Sequence, residues 1–463
     1  MKIAICASEM VPFAKTGGLA DVAGALPLVL EKKGIDVIVV MPAYACVKKV
    51  KKIKFKKISA GVSCAFIGKK IPVYFIENEE YFNRDSLYTT KNGDYPDNLD
   101  RFAYFSHRAL SVLKEIDFHA DIIHCHDWQT ALVPVYLKTV YAGDPFFKQT
   151  KSVFTIHNIG YQGLFLKEEF PKTGLDWNLF SMETLEFFNK VNILKGGIIF
   201  SDVINTVSPT YSREIQTKEF GFGLEGVLQK RRDSLFGILN GLDYDIWNPA
   251  TDEYIAKRYS ADKAEDKSKN KAYLQKLCGF PVKDTTPLIG IVSRLAQQKG
   301  FDIIAEAIDE VCRMNIQLVI LGAGDAKYQQ VLEQMMKKYP KNISLSLGFN
   351  DPLAHAIYAG SDFFLMPSHY EPCGLGQMIS FRYGTIPIVF RTGGLADTVT
   401  EKNGFIFDEY SKEALVSTIK NAVVSFKDKK KWPRIVRNAM NENFSWDAAG
   451  EKYKDLYNKV LSS

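Results

Sequence analysis

Lys15-Thr16-Gly17-Gly18-Leu19-Ala20-Asp21 follows a short apolar run at residues 3–7 and leads into a segment whose apolar residues recur at helical spacing. Strand, glycine turn and helix start, in that order, open an α/β unit. Two adjacent glycines let the backbone turn sharply and approach a ligand closely. The free N–H groups and dipole of the new helix favour an anion, and Lys15 adds a full positive charge at the same mouth. The hexapeptide Thr-Gly-Gly-Leu-Ala-Asp recurs at residues 392–397, again behind an apolar run, at 386–390. Two distant turns therefore share one loop chemistry, and both predict a phosphate-like ligand.

Outward from these turns, apolar or β-branched runs alternate with helical patterns. Strands are expected at 35–41, 71–76, 122–123, 153–157 and 203–207, with helices at 102–115 and 185–200. The alternation restarts with strands at 288–293, 317–321, 343–347, 363–366 and 386–390, separated by helices at 300–313, 326–338, 352–360 and 376–383. Such alternation predicts parallel sheets with helices on both faces. A break falls near Asn240-Gly241-Leu242-Asp243 and Asn248-Pro249, and the charged stretch 261–270 reads as a hinge. The expected fold is α/β: two Rossmann-like parallel-sheet domains facing across a deep cleft. Ligands of such sheets bind beyond the carboxyl ends of the strands.

With 463 residues, 46% hydrophobic and 24% charged, the chain is too long for one core and has a soluble globular composition. A formal net charge of +6 is mild at this length and calls for neither nucleic acid nor membrane as partner. The Lys-rich run 48–57 interleaves lysines with Val50, Ile53 and Phe55, so it reads as an edge strand with a solvated face. Seven scattered cysteines without a C-x-x-C pair fit reduced thiols in a cytoplasm-like compartment. The first apolar run is too short for a signal peptide, and no run of about 18 apolar residues occurs.

Several clusters fall at the expected carboxyl ends. In His124-Cys125-His126-Asp127-Trp128 the pattern allows a metal pair, packed core histidines, or a polar substrate contact through Asp127; no third ligand follows at useful spacing. His157-Asn158 ends the next strand. Asp243-Tyr244-Asp245 has the look of a metal-binding D-x-D, but in its hinge setting it reads as structural. Arg294 and Lys299 sit between a strand and a helix, where a guanidinium fork and an ammonium suit a diphosphate. Glu371, in His369-Tyr370-Glu371-Pro372-Cys373-Gly374-Leu375-Gly376, is placed to grip sugar hydroxyls, and the glycines after it to offer N–H groups to phosphate.

Taken together, Lys15 to Leu19, His126-Asp127-Trp128, Thr155 to Asn158, Asn240 to Asp243, Ser293-Arg294-Leu295, Gln298-Lys299-Gly300, Glu371 to Leu375 and Arg391 to Leu395 resemble, in order, the motifs of the glycogen/starch synthase family of GT-B glycosyltransferases. The resemblance implies an acceptor-side domain at residues 1–243, a nucleotide-sugar domain at 244–445 and a final helix at 446–463 packing back on the first. It implies ADP-glucose as donor and an α-1,4-glucan (glycogen or maltooligosaccharide) as acceptor, with no metal, no cofactor and a cytoplasmic or plastid-stromal setting. Position by position, it gives Arg294, Lys299 and Lys15 with Gly17 and Gly18 to the diphosphate, and His157 to the neighbourhood of the glucosyl carbon. Asp127 and Asn240 match residues near the sugar, Glu371 the glutamate on its hydroxyls, Glu9 an acceptor-side residue, and Phe349 an aromatic ring against adenine. The same motifs bring Asp21, Asn158, Gly374 and Leu375 into the substrate-binding set. One position departs from the wider superfamily: Ile379 stands where a second glutamate is common. Rival readings are a transferase using another nucleotide sugar, such as UDP-glucose, and a glucan-binding protein without catalysis. A dehydrogenase is disfavoured because the first turn lacks G-x-G-x-x-G.

Overall fold

The structure, a computed structural model, describes residues 1–50, 53–91 and 93–462. It divides into two compact units, Met1–Gly241 with Trp446–Ser463, and Leu242–Ser445. The crossing residues pair locally: the Leu242 N–H donates to the Phe444 carbonyl at 2.7 Å.

The first unit is built on a sheet of nine strands: β1 (Lys2–Cys6), β2 (Asp36–Pro42), β3 (Lys56–Ser59), β4 (Val62–Ile67), β5 (Ile71–Ile76), β6 (Ile122–His126), β7 (Lys151–Ile156), β8 (Val203–Thr206) and β9 (Leu235–Gly237). Their order is β9-β8-β7-β6-β1-β2-β5-β4-β3, parallel from β9 to β5 and antiparallel from β5 to β3. Ile3, Ala4 and Ile5 of β1 are wholly buried, as are Val39 and Val40 of β2. A parallel strand covered on both faces has no polar side to show, which is why these runs are continuously apolar. The last helix (Trp446–Ser462) lies against the first (Gly18–Lys32); it buries Tyr453 and Tyr457 and pairs Glu451 with Lys33 at 2.5 Å. Ser463, the last position of the expected helix, lies outside the described residues.

The second unit carries β10 (Leu288–Val292), β11 (Gln317–Gly322), β12 (Ile343–Leu347), β13 (Phe363–Met366), β14 (Ile386–Phe390) and β15 (Phe405–Phe407), all parallel, in the order β12-β11-β10-β13-β14-β15. Counted along the chain this is three-two-one-four-five-six, the doubly wound arrangement, with its switch point between β10 and β13. The parallel part of the first sheet repeats the pattern, with its switch point between β1 and β6. All seven cysteines are free, and no helix among the described residues is long and apolar enough to cross a membrane.

Three expectations change. The helix expected from 185 begins at Ile193; before it, Glu186–Phe187 and Lys190–Asn192 form an antiparallel ribbon with Leu164–Leu166. Phe188 and Asn189 take positive φ values of 50° and 60° at the ribbon's turn, and the Asn192 side chain caps the helix behind it. The charged stretch 261–270 is no hinge, because it enters the helix Lys267–Leu277 of the second unit. There Lys271 forms a buried pair with Asp362 at 2.7 Å, while Lys267 donates to the Tyr358 and Ala359 carbonyls. Third, the Lys-rich run becomes a strand only at Lys56, at the sheet edge, after a turn at Val47–Lys49; Lys51 and Lys52 lie outside the described residues.

The two Thr-Gly-Gly-Leu-Ala-Asp copies also differ. A Cβ on Gly17 or Gly18 would meet nothing within 4 Å, so that turn is open. A Cβ on Gly394 would lie 1.9 Å from the Cys373 carbonyl oxygen, and one on Gly393, whose φ is +42°, 2.0 Å from that of Glu371. The second turn is therefore filled by its own protein and supports the Glu371 loop; the expectation of a second phosphate cradle there is corrected. Gly394→Ala should lower stability by about 2 kcal/mol or more, whereas Gly18→Ala should stay within about 0.5 kcal/mol of the parent. Thermal melts of the two variants check this, and equal losses would contradict the distinction.

Candidate active site

In the second unit, the loops after β10 and β13 flank the switch point and enclose a cavity of about 230 Å³. Arg294 and Lys299 line it from one side, Ser368 and Glu371 from the other, and Gly374, Leu375 and Ile379 close its end. The buried Glu371 carboxylate accepts from Lys299 Nζ at 2.5 Å and from Ser368 Oγ at 2.9 Å. Its carbonyl accepts the Gly394 N–H at 3.0 Å, so the loop is fixed from the far side as well. Gln377 donates to the Cys373 and Gly374 carbonyls and holds Gly374 at φ +73°, ahead of the helix Gly376–Arg382. Arg294 is exposed, and among the described residues its guanidinium donates to the Gln298 amide oxygen, at 3.3 Å, with its other N–H groups facing solvent or ligand. The site thus joins one exposed cation, one cation fixed on a carboxylate, and a small apolar wall that includes Ile379. Phe349 does not line this cavity; it stands 95% exposed on the loop after β12, at the same edge of the sheet.

In the first unit the equivalent edge carries the loops after β1, β6 and β7. Glu9 is buried and its carboxylate accepts from the Thr16 hydroxyl at 2.7 Å, the Gly17 N–H at 3.2 Å, the Thr16 N–H at 2.5 Å and the Tyr88 hydroxyl at 2.9 Å. The anion that the glycine turn attracts is thus, in part, the protein's own carboxylate. Gly18 stays open beyond it, and Lys15 pairs with Asp21 at 2.7 Å on the surface. Asp127 takes φ +56° at the end of β6, and its Oδ1 accepts the His157 N–H at 2.7 Å, tying two strand ends together. Burial pushes the Asp127 carboxyl up to about 7, with the His157 N–H opposing and the Glu9 charge adding. Burial also pulls His157 down to about 3, so its ring is neutral at pH 7. Asn158 accepts the Gly160 N–H at 2.9 Å and is used in its own turn, while Asn240 is buried with a side-chain oxygen that has no hydrogen-bond partner among the described residues.

The H-x-H-D pattern resolves as packing combined with a polar contact. Strand β6 runs to His126, so His124 and His126 share a side, with ring centroids 4.2 Å apart. No group of three or more histidine, cysteine or carboxylate side chains that could hold a metal ion occurs among the described residues. Asp243 accepts the Asp245 N–H at 2.8 Å and forms a turn. Sequence reasoning missed Ser368 and Tyr88, which hold the two buried glutamates. Ser368 had a signal in its place just ahead of the Glu371 loop; Tyr88 sits in no motif.

The Asp127 shift has a definite sign. Its folded value of about 7 lies above the ordinary 3.8, so between about pH 4 and 7 the folded protein keeps a proton that the unfolded chain has released. Stability from this group therefore falls as pH rises through that window. Asp127→Asn should raise the melting temperature relative to the parent, with the gap widening from pH 5 to pH 8. Melts across that range check it; a gap that stays constant or shrinks would contradict the burial of the charge.

A family model described as "Starch synthase catalytic domain" matches residues 2–230, and one described as "Glycosyl transferases group 1" matches residues 279–439. The chain is 49% identical to a glycogen synthase of Geotalea uraniireducens, covering 100% of this chain and 99% of the relative. It is 48% identical to glycogen synthase 2 of Geobacter sulfurreducens, covering 99% and 98%. Among solved structures it is similar to the catalytic domain of starch synthase IV from Arabidopsis thaliana, bound to ADP and acarbose, with a TM-score of 0.89, 34% identity and coverage of 100% and 99%. With two doubly wound sheets, a filled set of charged groups at their switch points and this full-length likeness, the chain belongs to the glycogen/starch synthase family of glycosyltransferases.

Proposed function

We propose that the enzyme transfers glucose from ADP-glucose to the nonreducing-end 4-hydroxyl of an α-1,4-glucan, with retention of configuration. The observation that carries this reading is the second unit's cavity, where Arg294 and Lys299 stand beside a buried glutamate at a doubly wound switch point. A diphosphate placed there would meet two cations, which neutralise the negative charge that builds on it as ADP leaves. The solved structure with ADP and acarbose supports both the nucleotide and the glucan-like ligand.

In this reading Arg294 forks onto phosphate oxygens, and Lys299, which has three N–H donors, spans Glu371 and the diphosphate. Glu371 takes hexose hydroxyls with its remaining lone pairs. Lys15, with the open Gly17-Gly18 turn and Asp21, offers a cation for phosphate at the first unit's own edge. The neutral His157, with Asp127, Asn158 and Asn240, holds the hexosyl group, and Glu9 with Tyr88 keeps the turn in place toward the acceptor. Gly374 and Leu375 shape the phosphate end, and Phe349 offers a ring face to adenine. Retaining hydrolases use two carboxylates about 5 Å apart, one of them a nucleophile. Here Glu371 is already bonded to Lys299 and Ser368, so the reading gives same-face assistance to the leaving diphosphate itself. Charge neutralisation falls to side chains, without metal or cofactor, in a cytoplasm-like compartment that keeps the seven thiols reduced.

Nucleotide release from ADP-glucose and from UDP-glucose, with and without glycogen, tests the proposal. ADP-glucose should turn over fastest, and only with glucan present; faster turnover of UDP-glucose, or none with either donor, would overturn it. Arg294→Ala should lose about 10²–10³ in kcat while melting within about 0.5 kcal/mol of the parent. Lys299→Ala should lose similar activity and also about 3 kcal/mol of stability, because Glu371 is left buried without its cation. Near-full activity in either variant would contradict the assignment.

A further inference from the structure

Three histidines run in contact through the first unit toward its functional edge. His124 lies wholly buried, bonded through Nδ1 to the Tyr457 hydroxyl at 2.8 Å and through Nε2 to Thr155 Oγ1 at 2.6 Å. Its ring packs on that of His126, whose ring in turn lies 5.2 Å from that of His157. His126 is also wholly buried, and its Nδ1 lies 2.9 Å from His157 Nε2. Its other nitrogen, Nε2, is buried and has no hydrogen-bond partner among the described residues.

That orphaned atom decides where the protons sit. A neutral imidazole carries one N–H and one bare nitrogen. Burial holds His124 and His157 near 3 and His126 well below its ordinary value, so all three are neutral at pH 7. If the His126 proton were on Nε2, an N–H would be buried without an acceptor, which folded proteins avoid more strictly than an under-satisfied acceptor. With the proton on Nδ1, His126 donates to His157 and leaves only a bare nitrogen unpaired. His157 Nε2 is then the acceptor, so the His157 proton must lie on its Nδ1. His157 is only partly buried, and no hydrogen bond to its Nδ1 occurs among the described residues.

We propose that His126 is a positioning residue that locks His157 as the Nδ1–H tautomer, making His157 a hydrogen-bond donor to an oxygen of the transferred hexosyl group and not a proton acceptor. The identity of that oxygen's owner rests on the glucosyl-transfer reading; the tautomer does not. The chain of contacts back to Tyr457 gives the last helix a part in the same device, since it holds His124 under His126.

Two measurements test this. In the intact enzyme with ¹⁵N-labelled histidine, assigned by the signal lost in His157→Gln, His157 should show a protonated Nδ1 and a bare Nε2 from pH 6 to pH 8; a protonated Nε2 would overturn the proposal. Kinetically, His126→Phe keeps the ring volume but removes the donor, and should lower kcat on the order of 10²-fold with little change in KM for either substrate. His126→Asn restores an N–H close to the Nδ1 position and should recover most of that loss. Parent-like kcat in His126→Phe, or no rescue by Asn, would overturn the positioning role. Should His126→Phe not fold, the spectrum of the parent enzyme decides alone. Failure of glucosyl transfer with an Nδ1–H His157 would refute the transferase reading and leave the tautomer standing.

Discussion

Parallel strands of one sheet are joined by crossovers of a single hand, so helices can cover both faces only if the chain returns to its first strand and winds the other way. At the return, neighbouring loops leave to opposite faces and a crevice opens at the carboxyl edge. This constraint acts twice here, between β1 and β6 and between β10 and β13. Each crevice collects the same kinds of groups: a glycine-bearing turn, a cation on that turn (Lys15) or on the neighbouring loop (Arg294 and Lys299), and one buried glutamate held by two or more donors. Glu9 and Glu371 play matching structural parts, each fixing the loop that carries its unit's cations.

Electrostatics divides the two sites. In the second unit the buried carboxylate is paired directly with an ammonium, so charge enters the interior already compensated. In the first unit burial instead favours the neutral forms: Asp127 is pushed up to about 7, His124 and His157 are held down near 3, and the Glu9 carboxylate is held by hydroxyl and backbone N–H donors with no cation on it among its hydrogen bonds. One edge is thus suited to an anion and the other to a hexose, whose hydroxyls need fixed donors and acceptors more than net charge.

Much of this was legible from the chain. The strands at 363–366 and 386–390 are legible to the residue because buried parallel strands are short, unbroken apolar runs bounded by turns, and the edge strand at 343–347 because its apolar residues alternate with serines. Arg294, Lys299 and Glu371 were readable as one site because each follows a strand that the alternation orders next to the switch point. What escaped depends on partners far along the chain. The lysines at 267 and 271 look solvated until Tyr358, Ala359 and Asp362 are known to receive them. The second Thr-Gly-Gly-Leu-Ala-Asp copy looks like the first until the Glu371 to Cys373 backbone is seen to occupy it. His126 carries no local sign that one of its nitrogens is alone.

The central claim is that the nucleotide diphosphate is held at the second unit's switch point, while the glycine turn at 392–397 is scaffolding. Amide hydrogen exchange with and without ADP tests it most directly. Added ADP should slow exchange at residues 293–300 and 368–376 and leave the already packed amides of 393–394 unchanged. Protection confined to 392–397, or to neither loop, would contradict the account.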